Sequence, residues 1–79
     1  MDSRHVLAKN VRFSGDDMIV SLMDGRTITV PLIWFSRLAS ASQEQLAKYE
    51  LLGDGEGIHW PDVDVDEDLS IAELLRRNR

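Results

Sequence analysis

The dipeptide Asp24-Gly25 most restricts what this chain can fold into. It stands between Met18 to Met23 (MIVSLM) and Arg26 to Val30 (RTITV), two runs rich in apolar and β-branched residues. Glycine enters positive φ at no steric cost, so an Asp-Gly pair between such runs specifies a β-hairpin. Val, Ile and Thr have stiff χ1 angles and fit a pleated surface. Upstream, His5 to Phe13 (HVLAKNVRF) contains Val6, Val11 and Phe13 as strand formers and ends at the turn signal Ser14-Gly15-Asp16-Asp17. The first half is therefore expected to be a three-stranded antiparallel β-meander.

Pro31 cannot extend the third strand but fits the first turn of a helix, where its missing N–H has no intrahelical partner to lose. A short helix through Ile33, Trp34, Phe35 and Leu38 is expected next. Ser42-Gln43-Glu44-Gln45 has the form of a capping box and opens a second helix from Gln43 to about Leu51, with Leu46, Tyr49 and Leu52 on its apolar face. Gly53 and Gly55 are placed to stop it. Gly57 to Trp60 reads as a short strand. Val63 and Val65 then alternate with Asp62, Asp64 and Asp66, so an extended backbone would turn the valines inward and align the aspartates outward. Ser70 and Glu73 form a second capping box, and Ile71, Leu74 and Leu75 give a C-terminal helix ending in Arg76, Arg77 and Arg79 at the negative end of its dipole. No repeat, low-complexity tract or linker divides the sequence, which is read as one α+β domain over residues 1–79.

A chain of 79 residues has room for one core, and with no cysteine it has neither disulfides nor thiolate ligands to reinforce it. Apolar packing must suffice, led by Phe13, Trp34, Phe35, Tyr49 and Trp60; a monomer is possible, and a homodimer would help so thin a core. No apolar run approaches the roughly 18 residues that span a bilayer, and MDSRHVLAKNVRF lacks the apolar centre of a signal peptide, so a cytoplasmic protein without membrane contact is expected. The net charge of −5 argues against direct nucleic-acid binding, which needs clustered Lys and Arg to release counterions. Charge is also unevenly placed. From Tyr49 to Leu75 there are nine acids and no Lys or Arg, while the rest of the chain has five acids and nine bases. Such asymmetry concerns partners and encounter rates rather than fold.

Few groups carry chemistry. Asp62, Asp64, Asp66, Ser70 and Glu73 have a calcium-loop spacing, but Glu67 stands where the sharp turn needs glycine and Trp60-Pro61 precludes an entering helix; a solvated acidic face is the reading adopted, with no metal. His59, with acids downstream, could be drawn as a general base beside an orienting carboxylate. A lone strand histidine is more often structural and satisfied by a backbone carbonyl, and no Gly-rich phosphate loop or Ser-His-Asp pattern accompanies it. No catalytic residue and no cofactor is expected. Trp34 and Phe35, adjacent on a helix, would point about 100° apart, leaving one partly exposed as a possible anchor for a partner. Arg4, Lys9, Arg12 and Arg26 are expected on a solvated sheet face that discourages edge-to-edge aggregation.

The stretches DGRTITVPLIWFSRLASASQEQL and GIHWPDVDVDEDLSIAELL, with their Asp24-Gly25 turn, Val30-Pro31-Leu32 junction, Gly57-Ile58-His59-Trp60-Pro61 and Asp66-Glu67-Asp68, resemble the bacterial family of domain of unknown function 2442 from about Val6 to Leu75. The resemblance implies a small α+β domain without an established activity or assigned site residues, often encoded beside another small protein in an arrangement like a toxin–antitoxin pair. The acidic run between Pro61 and Asp66 departs from that pattern.

The leading expectation is a non-enzymatic acidic protein that regulates or inhibits a partner by placing Asp62, Asp64, Asp66, Glu67 and Asp68 on the partner's basic surface. In that role it would compete with nucleic acid, as some phage inhibitors of bacterial immunity, of the anti-CRISPR type, do. The alternative is an antitoxin-like subunit that binds a small partner through an apolar surface including Trp34 or Phe35.

Overall fold

Each of the first three strands places alternate side chains on one face, and the computed structural model, which describes residues 6–62, 65 and 67–77, shows them paired as a meander. β1 (Ala8–Ser14), β2 (Asp17–Leu22) and β3 (Thr27–Pro31) form an antiparallel sheet in that order. Val11, Val20 and Ile28 are in register across it, as are Phe13, Met18 and Val30. Ala8 and Val11 both face the core although they are three residues apart, because the register slips by one residue between Ala8 and Asn10. A bulge of this kind re-aims the strand by inserting an unpaired residue. His5 lies outside the described residues, and Val6 and Leu7 precede the strand.

The Asp24-Gly25 hairpin is present as a three-residue loop. The Leu22 N–H donates to the Arg26 carbonyl (2.8 Å), the Gly25 N–H donates to Leu22 (3.1 Å), and Gly25 takes φ 94°, the positive φ expected at the end of such a loop. Pro31 is the last residue of β3, opposite Asp17, an end position where a missing donor costs no interior ladder bond.

The expected helix over Ile33 to Leu38 is broken in two. A 3-10 turn, Leu32–Trp34, is separated from α1 (Ser36–Ala39) by Phe35, whose backbone is extended at φ −129° and ψ 100°. α2 (Gln43–Ala47) begins with the expected capping box: Ser42 Oγ accepts from the Gln45 N–H at 3.1 Å, and Gln45 Oε1 accepts from the Ser42 N–H at 2.9 Å. It ends well before Leu51. Glu50–Leu52 is instead β4, and Gly53 and Gly55, both at positive φ, turn the chain into β5 (Gly57–His59). A further strand that the sequence reading did not foresee, β6 (Asp68–Ser70), completes a second antiparallel sheet of order β4-β5-β6. β6 runs directly into α3 (Ile71–Arg77).

The extended valine–aspartate alternation is also corrected where it can be seen. Val65 lies in a turn, its N–H donating to Asp62 at 3.0 Å, although its side chain is buried as expected; Val63, Asp64 and Asp66 lie outside the described residues.

One contiguous core joins the two sheets, with Met18, Val20, Val30, Leu38, Ile58, Trp60, Val65, Ile71 and Leu74 essentially inaccessible to solvent. Polar latches reinforce it. Ala8 N–H donates to Gly55 (2.7 Å), Val11 N–H to the Tyr49 hydroxyl (3.1 Å), Trp60 Nε1–H to the Leu46 carbonyl (3.0 Å) and Ile71 N–H to Glu56 (2.9 Å). The Tyr49 ring meets Phe13 edge-on at 6.4 Å. No helix among the described residues is long and apolar enough to cross a membrane.

Candidate functional site

The break at Phe35 decides what the two neighbouring aromatics do. With the helix interrupted there, Trp34 is 43% exposed beside Ile33 at 79%, while Phe35 turns back and packs against the edge of the core. Phe35 also forms one wall of a groove of about 420 Å3 whose other walls come from far along the chain. Glu67 lines it just before β6, β6 contributes Asp68, Leu69 and Ser70, and α3 contributes Glu73 and Leu74. Because β6 leads into α3 without a loop, acidic residues on the strand approach and in the first helical turn line the same concavity together with Phe35, Leu69 and Leu74.

Each described acid has a distinct setting. Asp62 is half-buried and accepts from Gln45 Nε2 at 3.4 Å. Glu67 is half-buried in the groove wall. Asp68 is exposed, and its carboxylate pairs with His59 Nδ1. Glu73 accepts from Arg76 Nη2 at 2.8 Å, so the second capping box is only half formed: the Glu73 N–H donates to Ser70 Oγ (3.4 Å) while the carboxylate turns toward the helix C-terminus. Of the five acids singled out from the sequence, Glu67 and Asp68 line the groove, and Asp64 and Asp66 lie outside the described residues. Asp62 is not among the residues that line the groove.

The Nδ1 of His59, a residue read from the sequence as structural, faces the Asp68 carboxylate. Register explains the pairing. Glu50 on β4, His59 on β5 and Asp68 on β6 are directly opposite one another, and directly opposed residues point to the same face with Cβ atoms about 5 Å apart. The inner face of the same sheet carries Leu51, Ile58 and Leu69. This carboxylate–imidazole–carboxylate row was missed because β4 and β6 were not recognised as strands. His59 does not line the groove, and no group of three metal-binding side chains occurs among the described residues. Of the basic residues expected on the first sheet, Lys9, Arg12 and Arg26 are exposed. Arg26 is paired with Asp24 through its Nε at 2.8 Å, and Arg4 lies outside the described residues.

Comparison with known proteins supplies kinship without an activity. No curated protein matches the chain. A crystal structure of a protein of unknown function from Rhodospirillum rubrum ATCC 11170 is similar, with 33% identity and a TM-score of 0.78 over 92% of this chain and 88% of that one. The sequence model of the family described as protein of unknown function (DUF2442) matches residues 8–79. With nearly the whole chain so matched, this protein belongs to that family.

Proposed function

We propose that this protein is a non-enzymatic binding module that regulates or inhibits a partner protein by seating a basic segment of that partner in the groove beside Phe35. The observation that carries the reading is the groove's composition: Glu67, Asp68 and Glu73 around Phe35, Leu69 and Leu74. A Lys or Arg side chain has an apolar stem and a cationic head, and it matches such a surface along its length. The groove's carboxylates chiefly set encounter rate and specificity, because exposed charge pairs contribute little affinity each. A partner that uses the same cations to hold phosphate would lose its nucleic acid when so engaged. Some inhibitors of the anti-CRISPR type act in this way, and it requires no nucleic-acid contact by this chain.

The test is the binding of a short arginine-rich peptide, followed by calorimetry at low and at physiological salt. Affinity is expected to fall steeply with salt, since exposed charges are screened within about 8 Å at physiological ionic strength. A combined Glu67→Gln, Asp68→Asn, Glu73→Gln variant is expected to lose most of it. Equal binding by the wild type and the neutralised variant would overturn the proposal.

A second reading rests on the consecutive exposure of Ile33 and Trp34, which suits an antitoxin-like subunit gripping a small partner by an aromatic anchor. Aromatic residues are frequent at the centres of such contacts. Salt separates the two, because an apolar interface hardly responds to ionic strength.

A further inference from the structure

We infer that the Asp68 carboxylate is shared between His59 and the groove, so that a proton on His59 competes with a cationic ligand in the groove. The inference rests on the binding reading above and adds its regulation.

Asp68 occupies both places at once. It rims the groove with Glu67 and Glu73, and from β6 it faces His59 on β5. The imidazole is accessible to protons, its side chain being 31% exposed. Among the described residues, the groups opposite it are Glu50 on β4 and Asp68 on β6, both carboxylates. Of the diagonal positions, Leu52 and Ser70 carry no charge, Lys48, two residues before Glu50, carries a positive one, and Asp66 lies outside the described residues. A charged imidazole here sits between two negative groups, whereas a neutral one can only exchange a hydrogen bond. The charged form therefore engages the Asp68 carboxylate more strongly and diminishes the field it projects into the groove. A cation seated in the groove makes the same demand on Asp68 from the other side. The two occupancies oppose one another, and linkage makes the effect reciprocal: ligand binding drives the proton off His59 to the extent that the proton weakens the ligand.

The coupling is read over the histidine range, pH 8 to about 5.5, and a variant without the imidazole separates it from any other titration.

The experiment measures binding of a hexa-arginine peptide to the full chain at points between pH 8 and 5.5, for the wild type and for His59→Gln. The wild type is expected to bind about two- to fivefold more weakly at the acid end, the range one exposed ion pair supplies. His59→Gln is expected to bind equally at both ends. Parallel NMR titration of the His59 imidazole, free and with saturating peptide, is expected to show a lower midpoint with peptide. If both proteins bind with the same pH profile and the midpoint does not move, the coupling is wrong although the groove reading survives. If neither binds at any pH, the groove reading fails and takes the competition with it. Asp68→Asn gives a ligand-free check, because removing that carboxylate should lower the His59 midpoint; an unchanged midpoint refutes the shared carboxylate by itself.

Discussion

The two sheets solve the same problem by different means. In the first, strands of five to seven residues follow one another through short turns, so most of its pairing is local and its inner face alone carries seven core residues from Ala8 to Val30. In the second, every strand has three residues, too few to sustain themselves as an isolated sheet. It persists because it is fastened to the first sheet and to α2 through Gly55, Tyr49 and Trp60. The groove and the histidine row are both built on this dependent sheet. The proposed binding surface therefore lies on the sheet that depends on the other for its stability, with the outer face of that sheet carrying charge.

That division is most directly broken at Trp60. Its side chain is fully buried and its indole N–H reaches the Leu46 carbonyl, joining β5 to α2. Trp60→Ala empties the largest buried site and orphans that acceptor; large-to-small aromatic changes in cores cost about 3–5 kcal/mol. Denaturant unfolding should show a loss of this size, which removes much of the stability of so small a domain. A cost below about 1 kcal/mol would mean that the second sheet does not depend on this fastening.

Gly55 offers a narrower break. It holds φ 112°, and a methyl group added there would collide with the Ala8 carbonyl oxygen at the place where Ala8 donates to Gly55. Gly55→Ala combines a backbone conformation that L-residues avoid with a collision against another backbone, and about 2–3 kcal/mol is expected. Gly25→Ala is the control: its φ is also positive, but nothing lies within 4 Å of the added atom, so the cost should be smaller. Thermal melts of the two variants check the order; if Gly25→Ala were the worse, the close approach of the sheets at Gly55 would not be what holds them.

How far this contrast was legible in the sequence follows from the same physics. The first sheet announces itself through period-2 patterning and Asp24-Gly25, and the α2 cap through Ser42 and Gln45, because those signals are local. The second sheet was misread. Three residues cannot display a period, so Glu50-Leu51-Leu52 was absorbed into the preceding helix and Asp68-Leu69-Ser70 passed unnoticed, its leucine being the only buried residue of the three. The break at Phe35 was equally hidden, since helical spacing from Trp34 to Leu38 reads the same whether or not the intervening residue is extended. Composition located the acidic segment but could not say which acids share a face; that depends on register across β4, β5 and β6. The groove could not be read at all, because it brings Phe35 against Glu67 to Leu74 through tertiary packing alone.

The Tyr49 latch is a weaker fastening and sharpens the comparison. Its hydroxyl accepts from the Val11 N–H on the outer edge of β1, and its ring contacts Phe13. Tyr49→Phe keeps the ring and removes the acceptor, so about 1 kcal/mol should be lost. The loss should appear as faster hydrogen exchange at Val11 while the β2–β3 amides are unaffected. Uniform acceleration across the first sheet would show instead that it is not independent of the second.

The smallest effect is expected inside the first sheet, at Asp24, where nothing from the second sheet is involved. Its carboxylate accepts from the Arg26 N–H (3.0 Å) and the Arg26 Nε (2.8 Å). The backbone N–H, first, and then the guanidinium hold the Asp24 carboxyl below its ordinary value. A carboxyl depressed in the folded chain adds stability that is fully present above the ordinary carboxylate range, near pH 4. That contribution is lost as the pH falls through the folded value. Asp24→Asn retains an acceptor for the backbone N–H and removes the charge together with the acceptor for Arg26 Nε, so the wild type should be slightly the more stable at pH 7 and should lose that lead in acid. Paired chemical denaturation of the two proteins at pH 7 and pH 3 measures the difference directly. A lead that persists undiminished at pH 3 would mean that shape and hydrogen bonding, rather than charge, fix the Asp24-Gly25 loop, and hence that the first sheet's turn is set without any electrostatic contribution.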